Sequence, residues 1–258
     1  MSPVPALQSL GDFDRVFDVF HGVDPDPDSD LVFLKAIELG TAHHGPPKHD
    51  ALWFILNSYL REWGDICRVA GPVTSGPDEY DTALSSLEEV LRDHWGAVAQ
   101  VRKHTLSEVV NSARARDDIE YVFNDLVAHW RLEPLQEGQA RPRAVVGVAK
   151  LLAVLAPGVC VIWDNEYVFK KRLQRLAGAP DTPPWRPPSD GLGYAQYIVE
   201  KASQFYTVAR SAAMTPVELE RAVVAEHSRH WHELHPDREA EFFEPLTKIL
   251  DEANYLDA

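Results

Sequence analysis

The 258-residue chain is short of cysteine, of positive charge and of long apolar runs, and each shortage excludes something. Two cysteines, Cys67 and Cys160, exclude a disulfide scaffold and any four-cysteine zinc or iron–sulfur site, and they suit a reducing cytoplasm. Lys and Arg number 25 against 40 Asp and Glu, a formal charge of −15. A field of that sign repels phosphate backbones and anionic lipid and favours neutral or cationic partners. No apolar run approaches the ~20 residues needed to span a bilayer, so no membrane association is expected. The opening MSPVPALQSLGDFD lacks a basic n-region and an apolar h-region, which predicts no secretory signal and a cytoplasmic location. Gly-x-Ser-x-Gly, His-Glu-x-x-His, Gly-x-Gly-x-x-Gly and phosphate-loop patterns are all missing, so no nucleotide or other cofactor is expected.

What remains is helical. Apolar residues recur at helical spacing nearly everywhere, which predicts an all-α fold, a single compact multi-helix bundle of about ten helices over residues 1–258. Residues 22–30, with Pro25 and Pro27 among aspartates, read as an acidic linker; residues 179–190 read as a proline-rich loop. Thr105 with Glu108, Asp117 with Glu120, and Thr215 with Glu218 carry the spacing of a capped helix start. Asp50 suits a cap as well, and Pro77 a first helical turn. Residues 51–60 are apolar on almost every side, so Trp53, Phe54, Leu56 and Leu60 are expected in the core. Residues 159–163, Val-Cys-Val-Ile-Trp, are β-branched and apolar but have no partner strand, and read as a buried extended turn. Cys160 inside that run is expected to be an inert thiol.

Charge is uneven. Residues 141–175 hold seven basic residues against Asp164 and Glu166, whereas residues 216–258 hold four basic and eleven acidic ones. At the centre of the basic stretch, Asp164 follows the extended turn and is placed to cap a helix. Orphan amides and the positive dipole end would keep it ionised there. Trp163 and Tyr167 flank it, and Tyr194 adds a further aromatic wall. A carboxylate so placed holds an amine or acts as a base, with Glu166 assisting. Arg141, Arg143 or Lys171 would hold an anionic group on the same molecule. Lys150 is a second candidate catalytic group, although a lysine between apolar helix residues often only snorkels.

The residues Ala149, Lys150, Leu152, Pro157, Trp163, Asp164 and Asn165, followed by Gly193, Tyr194 and Tyr197, carry a resemblance. The run resembles a bacterial and archaeal family with an Ala/Ser-Lys-x-Leu-His…Pro…Trp/Tyr-Asp-Asn/Ser pattern, with Ala153 at the usual histidine. More distantly, Gly147-Val148-Ala149-Lys150 followed by Asp164 is similar to the hairpin, lysine and aspartate of helix-hairpin-helix DNA glycosylases. That likeness implies an aspartate that stabilises cationic charge on a sugar and a lysine that attacks it.

Histidines cluster at residues 43–49 and 227–235. Glu226, His230 and Glu233 share one helical face and could offer three ligands. No Glu-x-x-His pair accompanies them, so no metal is expected. Three functions follow. The first is a cofactor-independent enzyme on a small, amine-bearing metabolite, working by acid/base-assisted elimination, hydrolysis or internal displacement through Asp164, Glu166 and Lys150. The second is a glycosylase-like protein acting on nucleobases or DNA, a partner that the net charge disfavours. The third is a non-catalytic protein-binding subunit that docks through its acidic C-terminal helices.

Overall fold

The computed structural model describes residues 7, 9–20, 27–64, 66, 70–130, 144–163, 190–237 and 242–253. Among them the fold is all-α, with no strand. The helices are α1 (Gly11–Phe20), α2 (Pro27–Thr41), α3 (His49–Phe54, continuing as a π-helix over Ile55–Trp63), α4 (Thr82–Val101) and α5 (Leu106–Asn111). Then come α6 (Ala113–His129), α7 (Val145–Leu155), α8 (Gly191–Ser211), α9 (Pro216–Leu234) and α10 (Leu246–Glu252).

Local chemistry explains most helix ends. Thr105 Oγ1 accepts from Glu108 N at 3.3 Å while Glu108 Oε2 accepts from Thr105 N at 2.8 Å. Thr215 and Glu218 repeat the reciprocal box at 3.3 and 2.8 Å. Other starts differ from expectation. Asp117 lies inside α6, because Ser112 both closes α5 and caps α6, its Oγ accepting from Ala115 N at 3.5 Å. α4 begins at Thr82 rather than near Pro77, because Asp81 accepts from Ala83 N and Leu84 N at 2.9 and 3.1 Å. Lys48, not Asp50, holds the N-cap position of α3. α2 starts at Pro27 and absorbs the end of the expected linker, since a proline in a first turn loses no hydrogen bond. The rest of that linker, residues 22–26, and residues 179–189 of the proline-rich loop lie outside the described residues. Asp190, the loop's last residue, caps α8 by accepting from Gly193 N at 2.9 Å.

One contiguous apolar cluster draws on all of these helices except α9's outer face. Leu52, Ile55, Leu56, Tyr59 and Leu60 of α3 lie inside it. Trp53 and Phe54 are only partly buried; the Trp53 indole reaches Thr74 Oγ1 at 3.0 Å. Arg61 is buried beside them and closes the following loop, donating to Asn57 Oδ1 (2.7 Å), Ala70 O (3.0 Å) and the Asp81 carboxylate. Two close approaches need glycine. A Cβ on Gly191 would lie 2.2 Å from Glu120 O of α6, and one on Gly40 would lie 2.7 Å from Val154 O of α7. These contacts seat α8 on α6 and α2 on α7.

Candidate functional site

After α7 the chain turns at residues 157–159 and continues through residues 160–163 as neither helix nor strand; residues 159–163 are all at most 2 % exposed. Backbone carbonyls buried there need donors. Two tyrosines of α8 supply them: Tyr194 Oη donates to Val161 O at 2.8 Å and Tyr197 Oη to Ile162 O at 3.1 Å. These bonds satisfy two buried carbonyls of a segment that pairs with no strand among the described residues. Tyr194 also stacks on Phe123 of α6 at 4.6 Å, and the Trp163 ring meets Tyr197 edge-on at 4.8 Å. One turn further along α8, the buried Lys201 ammonium lies 5.7 Å from the Tyr197 ring centre. Burial pushes the Cys160 thiol up to about 12, partly offset by its hydrogen bond with Tyr194.

Trp163 and Tyr194 are both fully buried, Trp163 against Tyr197 and Tyr194 against Phe123. Lys150 is engaged on α7: its ammonium donates to Gly64 O at 2.8 Å, at the C-terminal end of α3, and its own carbonyl accepts from Tyr59 Oη at 3.2 Å. A cation at that end complements the helix dipole. Asp164, Glu166, Tyr167, Arg141, Arg143 and Lys171 lie outside the described residues.

The sequence reading missed a set of ionisable groups that packing brings to the same region. All seven side chains of α10 are buried, including Thr247, Lys248, Asp251 and Glu252. Thr247 Oγ1 donates to Pro157 O at 2.7 Å and pins α10 to the turn that precedes residues 160–163. Lys248 Nζ lies 2.6 Å from Glu252 Oε1 and 5.8 Å from the Phe33 ring, which in turn lies 5.7 Å from Tyr59. Burial, with help from the Asp251 charge, raises the Tyr59 phenol well above its ordinary value. Burial alone would lower the Lys248 ammonium; the Glu252, Glu244 and Asp251 carboxylates reverse this and hold it above its ordinary value.

His227 of α9 completes the group. It is fully buried, with Nε2 3.2 Å from Phe13 O and Nδ1 3.4 Å from Glu244 Oε2. A carbonyl only accepts, so Nε2 carries a proton. Little in the sequence announced these residues. In Leu-Thr-Lys-Ile-Leu-Asp-Glu, apolar and charged residues mix as in any surface helix.

The burial of α10 bears on which acidic residues of the C-terminal helices reach the surface. Glu244, Asp251 and Glu252, three of the acidic residues counted toward a C-terminal docking face, point inward. On α9, Arg229 bridges Glu226 (2.5 Å) and Glu233, and His230 Nε2 lies 3.2 Å from Glu226 Oε1. Glu226 is held below the usual carboxylate range mainly by its hydrogen bond from Arg229. The expected ligand face is therefore an exposed arginine–glutamate network. No helix among the described residues is long and apolar enough to cross a membrane. No protein-family model matches the chain, and no curated protein or solved structure is significantly similar to it.

Proposed function

We propose that this chain is an enzyme acting on a small, amine-bearing molecule, with its own carboxylates doing acid–base work where α10, α8 and residues 159–163 meet. The observation that supports this reading is the buried ionic cluster itself. Taking charges out of water costs several kcal/mol per ion by general estimate, and well-packed apolar residues would serve stability as well or better. Perturbed, buried ionisable groups concentrate where chemistry needs them. Glu252 pairs with Lys248 and Glu244 lies 3.4 Å from His227, so carboxylates and basic groups are held together out of water. Carboxylates complement a protonated amine rather than a phosphate.

In this reading Asp164, the residue after Trp163, orients or deprotonates the amine, with Glu166 assisting. Trp163 and Tyr167 form walls, Tyr194 braces the segment from behind, and Arg141, Arg143 or Lys171 hold an anionic group of the substrate. The reaction class is elimination, hydrolysis or internal displacement, since each needs only positioning and proton transfer. Lys150 serves as a cap on α3 rather than as a nucleophile.

The test is a thermal-shift screen of the full chain against matched panels of small amines, small carboxylic acids, nucleobases and duplex DNA. Amines should raise Tm in the wild type and fail to do so in Asp164→Asn, whose unliganded stability should change by under about 1 kcal/mol, because Asn caps a helix about as well as Asp. Stabilisation by DNA or nucleobases but not by amines would refute the reading.

A further inference from the structure

A second histidine–carboxylate cluster lies across α4 and α6, away from α10. His94 comes from α4; Asp125 and His129 come from one face of α6, four residues apart. His94 Nδ1 abuts Asp125 Oδ2, and His129 Nδ1 lies 3.3 Å from Asp125 Oδ1. One donor atom from each of the three residues falls within 4.8 Å of the other two. Asp125 Oδ2 is buried and makes no well-formed hydrogen bond. We infer that His94, Asp125 and His129 form a binding site for a divalent transition-metal ion of the zinc type.

Ring geometry agrees with a shared ion. Zn–N bonds are about 2.0–2.1 Å, and a ring centre lies about 1.2 Å beyond its nitrogen, so two imidazoles on one zinc have centres about 5 Å apart. The His94 and His129 centres are 4.7 Å apart, with planes inclined by 27°. Two like-charged imidazolium rings would repel at this distance, whereas two neutral rings bridged by a cation would not. His129 Nδ1 also donates to Asp125 O at 2.8 Å, a bond that a zinc ion at this nitrogen would replace. Two imidazoles and a carboxylate make the donor set that borderline-soft ions prefer over calcium or magnesium.

Three protein ligands leave one tetrahedral position open. His94 also lines a cleft of about 340 Å³ between the two helices, together with Asp93, Gln100, Asp118 and Tyr121. The free position is suited to water or to an oxygen of a small ligand in that cleft. At the far side of the cleft, Asp118 accepts from His104 at 2.8 Å and from Gln100 at 3.4 Å, which keeps it out of the ligand set. Spacing within one helix could not announce this site, because its ligands meet only when α4 packs on α6.

The experiment is a titration of metal-free full-length protein with Zn²⁺ by calorimetry, repeated with Co²⁺ followed by visible absorption. One equivalent should bind, and cobalt should give the intense d–d bands of a four-coordinate site. His94→Ala, Asp125→Asn and His129→Ala should each weaken binding by at least ~10-fold, while His230→Ala and His227→Gln should leave it unchanged. Circular dichroism and urea unfolding check that the variants fold; His94→Gln, nearer in volume, replaces any that does not. Absence of a stoichiometric site in the wild type, or affinity unchanged in the cluster variants, would overturn the inference. Loss confined to His227→Gln would move the ion to the α9–α10 cluster and overturn it equally.

Discussion

Removing the Lys248 ammonium should be among the most damaging single changes in the chain. In Lys248→Met the apolar stem is replaced in kind, but Glu252, fully buried, loses a cation 2.6 Å away, and Asp251 and Glu244 lose the charge that offsets them. Breaking one side of a buried ion pair costs about 3–5 kcal/mol. At roughly 2–4 °C per kcal/mol for a chain near this size, Tm should fall by about 6–20 °C. Glu252→Gln should also destabilise, because it leaves the ammonium inside with its principal partner neutral. The double variant removes both charges, so it should be less damaging than the sum of the two, a coupling of about 2 kcal/mol or more. Urea unfolding followed by circular dichroism, completed as a double-mutant cycle, measures this. The pH dependence follows from the raised lysine: its stabilisation is present below the unfolded value of about 10.4 and is lost as pH climbs through the higher folded value. The Lys248 contribution should therefore be flat from neutral to about pH 10 and fall only above that. A cost under about 1 kcal/mol for Lys248→Met, or additive single variants, would mean that water reaches the cluster and that no strong buried pair exists.

Other outcomes follow from the packing. Leu56→Ala, at a fully buried position in the π-helical part of α3, should cost about 2–5 kcal/mol in urea unfolding. Gly191→Ala forces a methyl against Glu120 O and should cost about 1–3 kcal/mol by separating α8 from α6; a neutral result would show that this crossing relaxes freely. Thr105→Ala removes the cap of α5 and should cost about 1 kcal/mol, with Thr105→Ser restoring most of it. In a Cys67→Ser background, Cys160 should resist thiol reagents in the native state and react on unfolding, because burial pushes its thiol up to about 12.

The helical class, the capping boxes at Thr105 and Thr215, the buried Leu56 and the burial of residues 159–163 were legible in the sequence. Each depends on interactions within a few residues: side-chain period, an oxygen reaching the third amide onward, or a run of β-branched residues. The misplaced starts at Pro77 and Asp117 are local too. Asp81 and Ser112 simply lie at the positions where the backbone turns extended. Tertiary structure alone decided which charged residues face inward. Nothing within Leu-Thr-Lys-Ile-Leu-Asp-Glu distinguishes a surface helix from one enclosed on every side, because enclosure comes from Pro157, Phe33 and Tyr59, far away in the chain. The His94, Asp125 and His129 cluster is likewise a product of one helix lying on another. Burial and charge pairing are long-range properties: a side chain's solvent and its counter-ion are set by whatever elements pack against it, and no spacing along one helix encodes that.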